Sequence, residues 1–307
     1  MTDKLSSLAT VRETRRVLEA HGLMTKKALG QHFLINDDVV RKICDLAAVS
    51  NSDNVIEVGP GIGTLTVALL QLAGHVIAVE RDSDLPAVLA ETTADVLQEH
   101  KNSFTLIEGD ALEVKFDQLS PQPNKLISNL PYAVAATIVL DYFEKSRIDS
   151  ATVMVQAEVA DRMMAERGTK NYGAYTVKLS LYAKPAGKFQ VSENNFFPPP
   201  RVKSTVIRLD RVDENLSPQL LQATACMADA AFATRRKTLA NSCKTFFSQD
   251  HKYEGILAGL ADKDMASQLS VLFDEAQINP QIRGEQLTRE EFIRLGKALL
   301  RFLESRQ

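Results

Sequence analysis

The residues best placed to do chemistry are Asn129-Leu130-Pro131-Tyr132, which follow a short apolar run from Lys125 to Ser128. An exocyclic aromatic amine is a poor nucleophile because its lone pair is delocalised into the ring. A catalyst acting there must accept hydrogen bonds from its two N–H groups and hold the nitrogen toward tetrahedral geometry. The side-chain oxygen of Asn129 and the carbonyl of Leu130 are acceptors of the right kind, Pro131 stiffens the turn, and Tyr132 can stack on a base. No strong general base is needed where positioning supplies much of the acceleration. Alone, the tetrapeptide reads equally well as an ordinary strand-to-turn connection, so its neighbours decide.

Upstream, Val55-Ile56-Glu57-Val58-Gly59-Pro60-Gly61-Ile62-Gly63 reads as a strand entering a glycine-rich turn and then a helix, Thr64 to Leu72. Glycines there allow positive φ and close approach of the backbone to a ligand. A nicotinamide-binding loop needs G-x-G-x-x-G, and Thr64 stands where its last glycine would be, which argues against a dehydrogenase. About twenty residues on, Glu80 ends the next strand, where a carboxylate can accept from both ribose hydroxyls. Asp110, after the third strand, can accept from an adenine amine. Each acid alone is more often a solubilising residue or a cap; together, at three successive strand ends, they describe a nucleoside site.

Those motifs need a scaffold, and the sequence supplies its rhythm. From Asn54 to Leu209 apolar runs alternate with amphipathic stretches, implying strand-helix repeats around a mostly parallel sheet. Strand candidates at Lys188–Val191 and Ser204–Leu209 are separated only by a proline-rich turn, which predicts an antiparallel end to the sheet. Beyond Arg211 helical periodicity takes over, and Ser217-Pro218 marks a helix start. The expected domains are 1–211 and 212–307. With 307 residues the chain has room for one large domain and a smaller one.

Composition narrows the class. Hydrophobic residues make up 45% and charged residues 24%, with no apolar run near the roughly 18 residues of a bilayer span. The three cysteines, Cys44, Cys226 and Cys243, lie far apart, and no histidine has zinc-ligand spacing, so no metal is expected. Net charge is only −3, so a phosphate-bearing partner has to be argued from clusters. Arg235-Arg236-Lys237, with Lys244 beyond, place cations along one expected helix; Lys26, Lys27, Arg201 and Lys203 flank the expected cleft. Arg12, Arg15 and Arg16 are interrupted by Asp3, Glu13 and Glu19, which favours a cytoplasmic leader helix over a transit peptide.

Lys27-Ala28-Leu29-Gly30-Gln31-His32-Phe33-Leu34 resembles the N-terminal motif of the KsgA-type ribosomal RNA adenine dimethyltransferases. The resemblance continues through Asn129 to Tyr132, Met154 to Ala160, Gly168 to Gly173 and Phe196 to Ser204. Phe232 to Asn241 and Arg283 to Thr288 resemble segments of the small-subunit enzymes that Erm-type large-subunit enzymes lack. The resemblance implies a Rossmann-like class I methyltransferase sheet, an α/β fold, with a smaller all-helical C-terminal domain that binds rRNA. It implies S-adenosylmethionine as cofactor, S-adenosylhomocysteine as product and no metal. The implied substrate is a pair of adjacent adenines in the 3′-terminal hairpin loop of small-subunit rRNA, each dimethylated. The implied partner is that rRNA or a pre-subunit particle, met by a cytoplasmic monomer without a membrane.

On this resemblance the cofactor contacts fall on Gln31, His32, Leu34, Gly59, Gly61, Glu80, Arg81, Asp110, Ala111 and Asn129. Phe196 becomes a second aromatic face beside Tyr132, and Lys27, Arg201, Lys203, Arg235, Arg236 and Lys237 become RNA contacts. His32 stands where the family usually has asparagine, and Lys203 where it usually has aspartate. The competing readings are an Erm-type enzyme of large-subunit RNA and an assembly factor whose catalysis is vestigial.

Overall fold

Strands β2 (Asn54–Val58) and β3 (His75–Glu80) are nearly unbroken apolar runs, the pattern of strands covered on both faces. They join β4 (Ser103–Glu108), β5 (Lys125–Asn129), β6 (Ser150–Gln156), β7 (Ala183–Val191) and β9 (Ser204–Arg211) in one seven-stranded sheet, ordered β4-β3-β2-β5-β6-β9-β7. A second, two-stranded sheet pairs β1 (Phe33–Leu34) with β8 (Phe196–Phe197), Phe33 opposite Phe197 and Leu34 opposite Phe196. This computed structural model describes residues 4–23, 32–100, 103–212, 215–249, 253 and 264–305.

The five strands from β4 to β6 run parallel and β9 runs antiparallel to β6. β9 lies between β6 and β7, so β7 takes the edge. β7 begins five residues earlier than its apolar pattern predicts because Pro185 and Gly187 interrupt that pattern. An edge strand tolerates a proline, which has no N–H to give the ladder. The chain goes from β2 to one side of the sheet and returns through β5 to the other, so order reverses between β2 and β5. Open parallel sheets place their ligands at such a reversal, outside the strand ends.

Helices α1 (Val11–Ala20), α2 (Asp37–Ala47), α3 (Thr64–Leu72), α4 (Leu85–His100) and α5 (Ala135–Lys145) accompany this sheet. Thr10 caps α1 and Asn36 caps α2 by accepting from backbone N–H groups of the first turn. α3 is buried from Thr64 through Leu70, and its N-cap, Gly63, sits at φ 89°.

The chain divides into two compact units: Met1–Ala160 with Pro185–Arg211, and Asp161–Lys184 with Val212–Gln307. α6 (Ala157–Met163) begins in the first and ends in the second. The second holds α7 (Ala174–Ser180), α8 (Pro218–Phe232), α9 (Leu239–Phe247), α10 (Met265–Ala276) and α11 (Arg289–Glu304). Ser217 caps α8 through Leu220 N–H with Pro218 at its first turn, as the sequence predicts. Gly296 lets α11 lie against α8, since a side chain there would collide with Thr224. Phe273, Phe292 and Leu295 fill the core of this unit.

Candidate active site

The glycine turn and the Asn-Leu-Pro-Tyr turn meet at the carboxyl ends of β2 and β5. Gly59 and Gly61 have φ of 68° and 61°, conformations that L side chains rarely adopt. A Cβ on Gly59 would lie 3.4 Å from the Pro131 ring, and one on Gly61 3.2 Å from the Phe33 ring. The glycines therefore keep open a cradle bordered by the β5 turn and by β1.

Glu80 closes the next side. It is buried, and its two oxygens accept from Asp82 N–H at 2.8 Å and Gly61 N–H at 3.4 Å. Burial pushes its carboxyl above the ordinary range, although the backbone hydrogen bonds pull the other way. Asp110 caps a short 3₁₀ turn, Ala111–Glu113, through Leu112 N–H, and Arg81 approaches its other oxygen at 3.4 Å. Ala111 is buried beneath it.

Asn129 ends β5, and its amide nitrogen donates to the His32 carbonyl at 3.3 Å. The amide oxygen is thereby turned away from that partner, and among the described residues no hydrogen bond occupies it. Leu130 N–H donates to Met154 in the neighbouring strand, which fixes the turn, while the Leu130 carbonyl takes no partner among the described residues. Two acceptors on adjacent residues are thus available. Half-buried Tyr132 shares a 2.6 Å hydrogen bond with buried Ser204, and burial raises its phenol. Its ring stacks with the His32 ring at 6.1 Å between centroids.

The His32 Nδ1–H donates to the Pro198 carbonyl at 2.8 Å. Nδ1 is thus committed to the proline-rich turn, and Nε2 is the ring nitrogen left for another partner. Phe196 differs from expectation. It is 2% exposed and lies in the core with Leu34, Val40 and Ile127, so it offers no open face to a base. The β1–β8 register turns it and Leu34 inward together, and the pair anchors the segment that carries His32.

Glu57 and Ser204 were not predicted. Glu57 is 1% exposed and accepts from Thr66 Oγ1 at 2.7 Å, and burial raises its carboxyl to about 8. Its signal was a lone acid within an apolar strand. Ser204 had none beyond its place at the end of the proline-rich motif. Lys27 and Gln31 lie outside the described residues. Arg201 and Lys203 are exposed.

In the second unit, Arg235-Arg236-Lys237 do not lie along a helix: they form the turn between α8 and α9. Arg235 faces Glu285 at 3.4 Å and donates to the carbonyls of Thr169 and Tyr172 at 3.3 and 2.9 Å. That makes it a tie within the unit, while Arg236 and Lys237 remain exposed. No group of three or more metal-binding side chains occurs among the described residues.

A seven-stranded sheet of this order, with a glycine cradle at its reversal and an acid ending the next strand, defines a class I methyltransferase that draws its methyl group from S-adenosylmethionine. The model of the family described as ribosomal RNA adenine dimethylase matches residues 22–273. Among relatives, the ribosomal RNA small subunit methyltransferase A of Rhodococcus erythropolis is 38% identical over 292 residues, 92% of this chain and 91% of its own. That of Enterococcus faecalis is 36% identical, covering 97% of this chain and 98% of its own. A solved dimethyladenosine transferase from Plasmodium falciparum aligns with TM-score 0.69 and 26% identity, over 86% of this chain and 96% of that one. The 23S rRNA methyltransferase ErmE shares the fold, with TM-score 0.61 and 24% identity. The chain belongs to the ribosomal RNA adenine dimethylase family.

Proposed function

We propose that this protein transfers methyl groups from S-adenosylmethionine to N6 of two adjacent adenines in the 3′-terminal hairpin loop of small-subunit rRNA, dimethylating each. The observation that carries the reading is the pair of uncommitted acceptors, Asn129 Oδ1 and the Leu130 carbonyl, beside a half-buried tyrosine at the sheet's reversal.

The cradle fits the cofactor: Gly59 and Gly61 leave space that any side chain would fill, and the Glu80 carboxylate borders it through Oε2, which accepts from Gly61 N–H. Gly59 and Gly61 would admit the methionine end, Glu80 would hold the ribose hydroxyls, and Asp110 the adenine amine. The cofactor supplies a methyl group on a positively charged sulfur, an electrophile strong enough for a weak nucleophile. Asn129 and Leu130 accept hydrogen bonds from the two N–H groups of the target amine and orient its lone pair toward the methyl group; Tyr132 holds the base by stacking. An unpaired loop adenine enters such a pocket at little unstacking cost.

The small-subunit choice rests on relatives of that name covering nearly the whole chain, whereas the likeness to ErmE extends to the fold. Arg201, Lys203, Arg236 and Lys237 are exposed cations suited to rRNA phosphates. On this reading the protein works in the cytoplasm as a monomer; no helix among the described residues is long and apolar enough to cross a membrane.

Asn129→Ala tests the chemistry. It should leave S-adenosylmethionine binding within about twofold in calorimetry, because the cradle and Glu80 remain, and should lower methyl transfer at least about a hundredfold. Transfer within tenfold of the parent would remove Asn129 from the catalytic role.

A further inference from the structure

The leader helix α1 carries cations that the proposed function leaves unused. Thr14, Val17 and Leu18 are buried against the first unit, which leaves Arg12, Arg15 and Arg16 in solvent. Arg12 and Arg16 both pair with Glu13, at 3.1 and 2.8 Å, so much of their charge is compensated. Arg15 is different. Among the described residues it has no carboxylate partner, and exposed Glu19, one turn on, makes no ion pair with it. Its guanidinium lies instead over the Phe197 ring, 5.0 Å from the centroid. A ring beneath the cation fixes its position and leaves its N–H donors at the edge of the plane, where a phosphate can accept from two of them.

The place of that cation matters more than its charge. Phe197 belongs to β8 and pairs with Phe33, whose ring borders Gly61. The next residue, Pro198, accepts from His32, and His32 stacks with Tyr132. A continuous row of contacts, Arg15 to Phe197, Pro198, His32 and Tyr132, therefore runs from α1 to the aromatic that holds the target base, all within the first unit.

We propose that Arg15, held over Phe197, is a phosphate contact for the rRNA strand bearing the target adenine, so that α1 is part of the substrate-binding surface. This rests on the reading of rRNA as the substrate. Arg15 contributes binding and register, not chemistry: it touches no reacting atom, and its partner is the backbone next to a base already in the pocket.

The test uses full-length protein and small subunits lacking the two dimethyladenines, with binding followed between about 50 and 200 mM salt. Arg15→Ala should weaken binding about three- to tenfold and lower the logarithmic salt slope by about one, the loss of one phosphate contact. S-adenosylmethionine affinity by calorimetry should stay unchanged. Arg15→Lys keeps the charge but not the planar fork, so it should keep the parent's slope. Parent-like binding and slope in Arg15→Ala would overturn the proposal, as would a reduced slope in Arg15→Lys. A matching loss of S-adenosylmethionine affinity would assign the cation to the cofactor instead and overturn it too. If the parent itself fails to bind these particles, the proposed function falls and this inference with it; failure confined to the variants' predictions removes this inference alone.

Discussion

At the scale of single residues, the site depends on groups that touch no substrate. Ser204 is fully buried at the start of β9, and its hydroxyl is the hydrogen-bond partner that fixes the Tyr132 ring from behind. Ser204→Ala should lower kcat about tenfold, because the ring loses its preferred orientation, while S-adenosylmethionine affinity is unchanged; Ser204→Thr should restore part of the loss. The stability cost should be about 1 kcal/mol, as for one buried hydrogen bond. A fall in melting temperature with kcat intact would make Ser204 a packing residue only. Asn129 and Glu80 were legible in the sequence because each ends an apolar run, and a strand end in an open parallel sheet is where ligands sit. Phe196 was not: which of two adjacent phenylalanines turns inward depends on the register of a two-residue strand. The partner of His32 was equally hidden, since Pro198 lies 166 positions away.

At the scale of elements, the turn from β2 into α3 is held by a buried acid. Thr66 on α3 donates to Glu57 on β2, and Glu57 is almost wholly buried. Burial raises its carboxyl from 4.5 to about 8, with a smaller contribution from Glu80. The fold thus holds a proton there that the unfolded chain releases. In the window from about 4.5 to about 8 the native state binds more protons, so stability falls as pH rises through it. Each unit of displacement is about 1.4 kcal/mol, so the cost at pH 8 is on the order of a few kcal/mol. Glu57→Gln keeps an acceptor for Thr66 without the charge. It should match the parent's denaturation midpoint near pH 5 and exceed it near pH 8. Parallel curves across that range would contradict the assignment.

Elements also show why the sequence misplaced some cations. Arg235 to Lys237 follow a run of good helix formers, and periodicity alone extends the helix through them. Instead α8 ends at Phe232, and Arg235 is drawn to the Thr169 and Tyr172 carbonyls and Glu285, partners some sixty and fifty residues away. No local pattern encodes those bonds. β7 was shortened for a related reason: Pro185 reads as a breaker unless the strand is known to lie at an edge.

At the scale of the whole molecule, the order of motifs along the chain carried the fold class: glycine turn, acid, second acid and tetrapeptide follow β2, β3, β4 and β5 in turn, and the sheet sets these four strands side by side in the order β4-β3-β2-β5. The sequence placed one division near residue 212. The two compact units exchange the chain three times, because 161–184 packs with the helices beyond 212. That grouping rests on tertiary contacts such as Tyr172 Oη donating to the Leu287 carbonyl, which composition does not reveal. The central claim concerns the substrate, and methyl transfer measures it most directly. Small ribosomal subunits lacking the modification, incubated with the protein and radiolabelled S-adenosylmethionine, should take up about four methyl groups each, since two adenines accept two apiece. Digestion should return the label as N6,N6-dimethyladenosine from the 3′-terminal hairpin. No label in these subunits, or label appearing instead in naked large-subunit rRNA, would contradict the account.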